Sequence, residues 1–189
     1  MTHNGAEKIK CYNLSMEKFY SNIVGTPVME DDVFRAITTI KDVILDPESG
    51  KVVAFSVDLS RNLVVAPVDI LSFDEFLKIH NHESIAEGND ILRVAAVQKK
   101  GIRIIHNRVE SKNGEYIGIV VDFSIDPKTF TLKRILTAKS ILGLIRYDQR
   151  IILAKNIIEI LPNKIIVKEN LKTSKEEKRV TIEDLAVSG

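Results

Sequence analysis

The chain has 189 residues, of which 44% are hydrophobic, and it carries 27 Lys and Arg residues against 26 Asp and Glu residues. This length suits one large domain or two small domains of roughly 90 residues each. A formal charge of +1 gives no general attraction to nucleic acid or anionic lipid, and a chain without Trp and with only 6% aromatic residues is poorly suited to base stacking.

The sequence also argues against disulfide bonds, cysteine-based zinc sites, a secretory signal and a membrane-spanning segment. Cys11 is the single cysteine, so an intrachain disulfide cannot form and a Cys-based zinc site is excluded. The N-terminal residues lack the apolar core of a secretory signal, and the longest apolar runs, such as ILGLI at 141–145, are too short to span a bilayer. We therefore expect a cytoplasmic protein with no transmembrane segment.

The first predicted elements are a short helix in 14–22 and a strand in 37–45. Asp46 and Pro47 end this strand, because Pro fixes φ for a tight turn and cannot donate a ladder hydrogen bond, while the Asp carboxylate can accept one from the turn backbone. Gly50 suits a left-handed position in that turn, so a second strand is predicted to follow as the other arm of a hairpin.

A strand and a helix are predicted to complete the first half. The segment 62–71 is apolar but contains Pro67, which is typical of an edge strand or a strand end. Ser72 and Glu75 have the spacing of a capping box, so we predict a short helix there, followed by a polar linker. The apolar face of this helix is predicted from side chains at helical spacing, namely Phe73, Phe76, Leu77 and His80.

The second half has a clearer strand pattern. A strand is predicted in 101–109 and an Asn-Gly turn within 113–118. In 117–125, alternate side chains are apolar, which indicates a strand with one buried face. The remaining predictions are strands in 150–154 and 162–169 and a charged, mobile tail in 169–189.

One motif, Asp-x-x-x-Asp-Pro, occurs twice, in 42–47 and in 122–127. When the two copies are aligned, apolar positions on both sides also match. Downstream, VVAPVDI at 64–70 matches ILAKNII at 152–158. Agreement of several blocks in the same order predicts that one β unit is duplicated.

The two copies differ at the turn and in the hairpin that follows. Phe130 stands where the first copy has Gly50, so we predict a different turn in the second copy. About eight extra residues within 138–150 are predicted to lengthen the second hairpin.

These residues resemble the PRC-barrel family, which includes the photosynthetic reaction centre H subunit and the C-terminal domain of the ribosome-maturation factor RimM. The resemblance covers 20–72 and 97–160. The second copy carries the family's Gly-x-x-Ile-Gly step in 114–118, and the first copy carries the Asp-Pro-x-x-Gly turn that ends at Gly50. The resemblance implies an all-β fold of two small PRC-type β-barrels in tandem, with short connecting helices and a mobile C-terminal tail.

A division into five segments follows from this resemblance. The predicted segments are an N-terminal segment (1–22), a first PRC-barrel-like domain (23–80), a linker (81–96), a second PRC-barrel-like domain (97–168) and a charged tail (169–189).

Three functions are compatible with these patterns. The family resemblance implies a non-enzymatic adaptor or scaffold that binds protein partners, with self-association through an exposed strand edge as a further expectation. An RNA-binding or ribosome-maturation role similar to that of RimM is the alternative. A small-ligand receptor or enzyme would need a polar-lined cleft between the barrels. The RNA role requires five cations on one face, namely Lys99, Lys100, Arg103, Lys133 and Arg134.

The candidate chemical sites favour structural interpretations. His80 and His82 have metal-ligand residue types but point apart on a helix, and the acidic triplet 30–32 lacks the spaced ligands of a calcium loop. Asp42 and Asp122 occupy equivalent positions, which favours a shared structural role, such as accepting backbone hydrogen bonds at a hairpin. We predict no catalytic, cofactor-binding or metal-binding residue.

Overall fold

The computed structural model describes residues 17–31, 35–141 and 145–168. Strands dominate these residues, and the two α-helices among them are α1 (Tyr20–Ile23) and α2 (Leu92–Lys99). The predicted all-β fold class is confirmed. In this described part, no helix is long and apolar enough to cross a membrane. Cys11 and the predicted tail in 169–189 lie outside it.

Fifteen strands are found in the described residues. Those of the first half are β1 (Lys18–Phe19), β2 (Pro27–Glu30), β3 (Ala36–Thr39), β4 (Asp42–Leu45), β5 (Val52–Ser56), β6 (Leu63–Val65), β7 (Ile70–Phe73), β8 (Leu77–Ile79) and β9 (Ile85–Glu87). Those of the second half are β10 (Arg108–Ser111), β11 (Tyr116–Asp126), β12 (Thr131–Ile141), β13 (Ile145–Leu153), β14 (Ile157–Ile160) and β15 (Lys164–Val167). Single turns of 3₁₀ helix lie at Pro67–Asp69, His82–Ser84, Gly88–Asp90 and Ala154–Asn156.

The strands form three sheets with related orders. The first half forms two sheets, β3-β2-β8-β7 and β4-β5-β6-β9, while the second half forms the order β13-β12-β11-β10-β15-β14. Strand β1 joins the latter sheet by pairing with β11. Each half contains one parallel pair, with Val28 opposite Leu77 in the first and Val109 opposite Ile165 in the second.

Both Asp-Pro motifs form hairpin turns, as predicted. The Gly50 N–H donates to the Asp46 carbonyl oxygen at 2.9 Å, and the Phe130 N–H donates to the Asp126 carbonyl oxygen at 2.8 Å. Both residues are left-handed, with φ of 66° at Gly50 and 52° at Phe130. The prediction of a different second turn is therefore wrong. The cost of the left-handed phenylalanine, about 1–2 kcal/mol, is offset by packing of its ring against Phe55, at a centroid distance of 5.8 Å.

The register of the strands corrects the alignment of the two halves by one residue. Phe55 lies opposite Val65 in the first half, and Ile135 lies opposite Ile152 in the second. Val65 therefore corresponds to Ile152, whereas the sequence alignment matched Ile152 with Val64. The longer second hairpin is confirmed, because β12 and β13 have 11 and 9 residues against 5 and 3 in β5 and β6.

The predicted helix that begins at Ser72 is wrong, because the chain forms the β7–β8 hairpin there. Phe73 and Leu77 are four residues apart, which fits one face of a helix, but they are also directly opposite each other across the hairpin. Leu77 and Ile79 are both fully buried, which is the period of two expected of a strand. The predicted helix in 14–22 is replaced over the described residues by β1 and the start of α1.

The segment 81–96 was predicted to be a linker but contains ordered elements. Strand β9 pairs with β6 and so extends a sheet of the first half. Helix α2 places Val94 and Val97 against a small apolar cluster formed by Ile44, Val53, Ala54 and Val64. The segment therefore covers one face of the first half, and it is part of the packed structure.

Backbone hydrogen bonds join the two hairpin turns to each other. The Val52 N–H donates to the Phe130 carbonyl oxygen and the Leu132 N–H donates to the Gly50 carbonyl oxygen, each at 2.8 Å. Lys51 and Thr131 form an antiparallel bridge at the same place. The two bonds are equivalent under exchange of the halves, so the contact has local two-fold symmetry.

A single apolar core spans both halves. Its fully buried members include Phe55 of β5 and Phe123 of β11, and buried side chains from both halves belong to the same cluster. Phe55 contacts Phe73 of its own half and Phe130 of the other, both in edge-to-face geometry. Because the core is shared, we expect the two halves to unfold together.

The substitution Phe55→Ala tests this expectation. Loss of a fully buried ring that contacts both halves is expected to lower the free energy of unfolding by about 3–5 kcal/mol. Urea denaturation followed by hydrogen exchange is expected to show one transition with both halves losing protection equally. Leu59→Ala, at a side chain that is 89% exposed, is the control. Separate transitions for the two halves would contradict a shared core.

A second test concerns Gly118 of β11, where the backbone lies very close to the backbone of β12. Its φ is 154°, and a Cβ there would lie 2.8 Å from the Ala138 carbonyl oxygen on β12. Gly114, with φ of 83°, has no atom within 4 Å of the same position. We expect Gly114→Ala to cost about 1–2 kcal/mol of strain and Gly118→Ala about 1–3 kcal/mol more from overpacking, as measured by urea denaturation. Equal costs would show that β12 moves aside without penalty.

Candidate functional site

The inter-half cavity, which has a volume of about 230 Å³, lies where α1, β4 and β11 meet the loop before β10. Its apolar lining includes Val43, Leu45, Ile104 and Phe123. Its polar lining consists of Tyr20, Asp42, Arg61, Arg103 and His106. Residues of both halves are needed to build it.

A polar network connects three of these side chains. The Tyr20 hydroxyl donates to Asp42 Oδ1 at 3.1 Å, and Arg61 Nε lies 3.2 Å from Asp42 Oδ2. Burial and, next, the negative charge of Asp42 raise the pKa of Tyr20 to about 12, while Arg61 and Arg103 oppose this. The Tyr20 hydroxyl is therefore protonated and available as a hydrogen-bond donor at neutral pH.

The side chains of Arg103 and His106 lie at the edge of this cavity. Arg103 and His106 are both exposed, and within the described residues neither has an ion-pair partner. His106 has φ of 66°, and its N–H donates to the Val120 carbonyl oxygen. In the first half, Gly25 makes the matching bond to Ile40 with φ of 91°.

Asp42 and Asp122 act as backbone acceptors, as predicted. Each accepts a hydrogen bond at 2.8 Å from the N–H of the following residue, Val43 or Phe123. The predicted location at a hairpin is wrong, because Asp42 lies in β4 and Asp122 lies within β11, away from the turns. Asp122 also accepts from both the hydroxyl and the N–H of Ser21, so α1 contacts one Asp of each half.

A second feature, the turn groove, lies between the first hairpin turn and the β14–β15 hairpin. It encloses about 590 Å³ and is mainly apolar, with Glu48, Lys100 and Glu159 among its lining. Its apolar residues are Pro47, Ile102, Ile158, Ile160, Leu161 and Pro162. Ile158, in β14, is 49% exposed and lines this groove.

The matching position on the other side of the molecule is filled by the chain itself. There, β1 pairs with β11 so that Lys18 lies opposite Ile125. The Lys18 ammonium donates to the Asp74 carbonyl oxygen and lies 4.8 Å from the centroid of the Phe73 ring. Phe73 and Asp74 correspond to Ile160 and Leu161 of the turn groove, in the register that the strands define.

The remaining candidates do not converge on a site. His82 is 81% exposed and lies 3.5 Å from Glu30, while Asp31 pairs with Lys78 at 2.6 Å. Asp32 lies outside the described residues. Among the described residues, no three His, Cys, Asp or Glu side chains are grouped so that they could hold a metal ion.

Three of the five basic residues needed for an RNA surface lie in ion pairs. Lys100 pairs with Glu48, Lys133 Nζ lies 3.7 Å from an Asp126 carboxylate oxygen, and Arg134 Nη2 lies 2.6 Å from a Glu17 carboxylate oxygen. These carboxylates reduce the positive potential that phosphate binding requires. The sequence analysis does not predict Arg61 or His106 as residues of a binding site. The local sequence around them, an Arg in the turn 58–62 and a His beside Asn107, is only a weak indication of such a role.

Comparison with known protein families gives a match, which covers the first half of the chain. The PRC-barrel domain profile matches residues 16–100. One PRC-barrel domain is therefore detected over this range, which includes β9 and α2 and extends beyond the predicted limits of 23–80. No curated protein matches the sequence.

The cavity network predicts a specific dependence on alkaline pH. Because the folded pKa of Tyr20 is about 12 and the unfolded value is about 10, its neutral form stabilises the fold fully below the unfolded value. This contribution is lost as pH rises through about 12. We expect Tyr20→Phe to remove one late step from the tyrosinate absorbance titration, and Asp42→Asn to shift that step to lower pH. A late step that survives in Tyr20→Phe would contradict the assignment.

Proposed function

We propose that this protein is a non-enzymatic adaptor or scaffold whose turn groove binds an extended segment of a protein partner. The observation that carries the proposal is the difference between two matching positions. On one side the chain's own strand β1 occupies the position, and on the other the turn groove is open and apolar over the described residues.

The filled position also indicates how a partner would bind. Strand β1 contributes backbone hydrogen bonds to β11 and places a long side chain against Phe73 and the Asp74 carbonyl group. Binding of an extended peptide beside a strand or hairpin gives affinity through backbone hydrogen bonds and specificity through side-chain pockets. At the turn groove, Ile158 and Pro162 supply apolar contact, while Lys100 and Glu48 at the rim can orient polar groups.

We further propose that the second half is a second PRC-barrel unit of a tandem pair. Its support is the repeated set of local contacts, which includes the left-handed turns at Gly50 and Phe130 and the parallel pairs β2–β8 and β10–β15. The backbone hydrogen bonds of Gly25 to Ile40 and of His106 to Val120 are a further contact that the two halves share. A cytoplasmic location fits this role and remains a prediction.

The RNA-binding alternative has less support. The ion pairs of Lys100, Lys133 and Arg134 leave few uncompensated cations for phosphate contacts. An RNA surface would show affinity that falls steeply with salt, because cations that contact phosphate release counterions. Absence of RNA binding at low salt would exclude the alternative.

The experiment for the adaptor role is affinity capture from native cell extract with mass spectrometry of the bound proteins. We expect Ile158→Glu to weaken capture of the specific partner by about tenfold or more, since a charge replaces an apolar contact in the groove. Binding of the purified partner, measured by calorimetry, checks the size of the effect.

Leu71→Glu is the matched control. Leu71 corresponds to Ile158, lies on the equivalent strand β7 and is 42% exposed, but it is not part of the groove lining. Its substitution is expected to leave partner binding unchanged and to have a similar small effect on stability. Identical bound proteins for wild type and both variants would overturn the turn groove as the binding surface.

A further inference from the structure

We infer that the inter-half cavity binds a small ligand that carries a single carboxylate on an apolar body. This binding is separate from partner binding at the turn groove and does not depend on it. The carboxylate belongs either to a free acid or to the C-terminus of a peptide, since both present the same chemistry.

The charges of the lining favour one negative group. Arg61 and Arg103 supply two permanent positive charges, and Asp42 supplies one negative charge, so the lining is left with a net positive charge. Arg61 Nε is buried beside Asp42 but makes no hydrogen bond of good geometry. A monoanion at Arg103 balances the lining, whereas a doubly charged phosphate would bring uncompensated charge close to Asp42.

The position of the exposed donors supports the same ligand. Arg103 and His106 are three residues apart on the loop that borders the cavity, and both side chains are exposed. A guanidinium group matches a carboxylate through two parallel hydrogen bonds, and an imidazole can donate a third. Within the described residues no carboxylate already occupies Arg103.

Two strained backbone positions border this cavity. Four non-glycine residues in the described chain have positive φ, and two of them, Arg61 and His106, line the cavity. The residue that corresponds to His106 in the first half is Gly25, which adopts the same region without a side-chain penalty. A histidine held there costs about 1–2 kcal/mol relative to glycine, and strain of this kind accumulates at binding sites.

The size and the walls of the cavity define the ligand's body. A volume of about 230 Å³ is below the ~300–1,000 Å³ typical of pockets for drug-sized ligands. Val43, Leu45 and Phe123 provide an apolar wall, so a compact hydrophobic group fits better than a sugar or a nucleotide.

Titration of the full chain with benzoate tests the inference, with neutral benzamide as the matched compound. We expect benzoate to bind with chemical-shift changes at the Tyr20, Ile104 and His106 amides, and benzamide to bind at least about tenfold more weakly, because it lacks the charge-assisted contact. N-acetylphenylalanine and its amide form a second pair, which represents a peptide C-terminus.

Arg103→Ala is the decisive variant, since its exposed side chain can be removed without affecting the core. It is expected to weaken benzoate binding about tenfold, while Lys99→Ala, which removes an equal charge outside the cavity, leaves binding unchanged. Preference for the free acid over the peptide acid, or the reverse, identifies the source and supports the inference in either case. No carboxylate binding, equal binding by Arg103→Ala, or shifts confined to the turn groove would overturn it.

Discussion

Two backbone hydrogen bonds between hairpin turns determine how the halves of this protein are arranged. Each turn donates through a residue at the start of the next strand, Val52 of β5 or Leu132 of β12, two positions after the left-handed residue. Each turn accepts through that left-handed residue, Gly50 or Phe130. This reciprocal geometry fixes both turns against the opposite half. The first turn then forms one wall of the groove beside β14, and the same arrangement brings α1 and the loop before β10 around Asp42.

The turns explain which parts of the fold could be predicted from sequence. Asp-Pro followed by alternating apolar residues has a local physical meaning, so the strand in 117–125 and both hairpin corners were identified correctly. The helix predicted after Ser72 is wrong because Phe73 and Leu77 have a spacing that suits both a helix face and a hairpin pair. Only tertiary burial of Leu77 and Ile79 decides between them. The different turn predicted at Phe130 is wrong because the ring contact with Phe55 that offsets its strain is long-range.

The candidate site was less predictable than the fold. Asp42 was recognised as a backbone acceptor, but its contacts with Tyr20 and Arg61 bring together residues that are 22 and 19 positions away. No local sequence pattern predicts a hydrogen-bond network between residues so far apart in the chain. The groove depends on an even longer relation, since Pro47 and Ile158 belong to different halves. The difference between the two sides of the molecule arises from β1, a two-residue strand that a periodicity argument cannot detect.

The covalent connection between the halves runs through the stretch after α2, where Gly101 and Arg103 are exposed. Neither the shared core nor the hydrogen bonds between the turns depend on continuity of the chain at this point. A single proteolytic nick there would consequently leave two fragments associated, as in fragment complementation. The nick would nevertheless release the backbone that positions Arg103. An intact chain is therefore needed to form the cavity, whereas it is not needed to hold the two halves together.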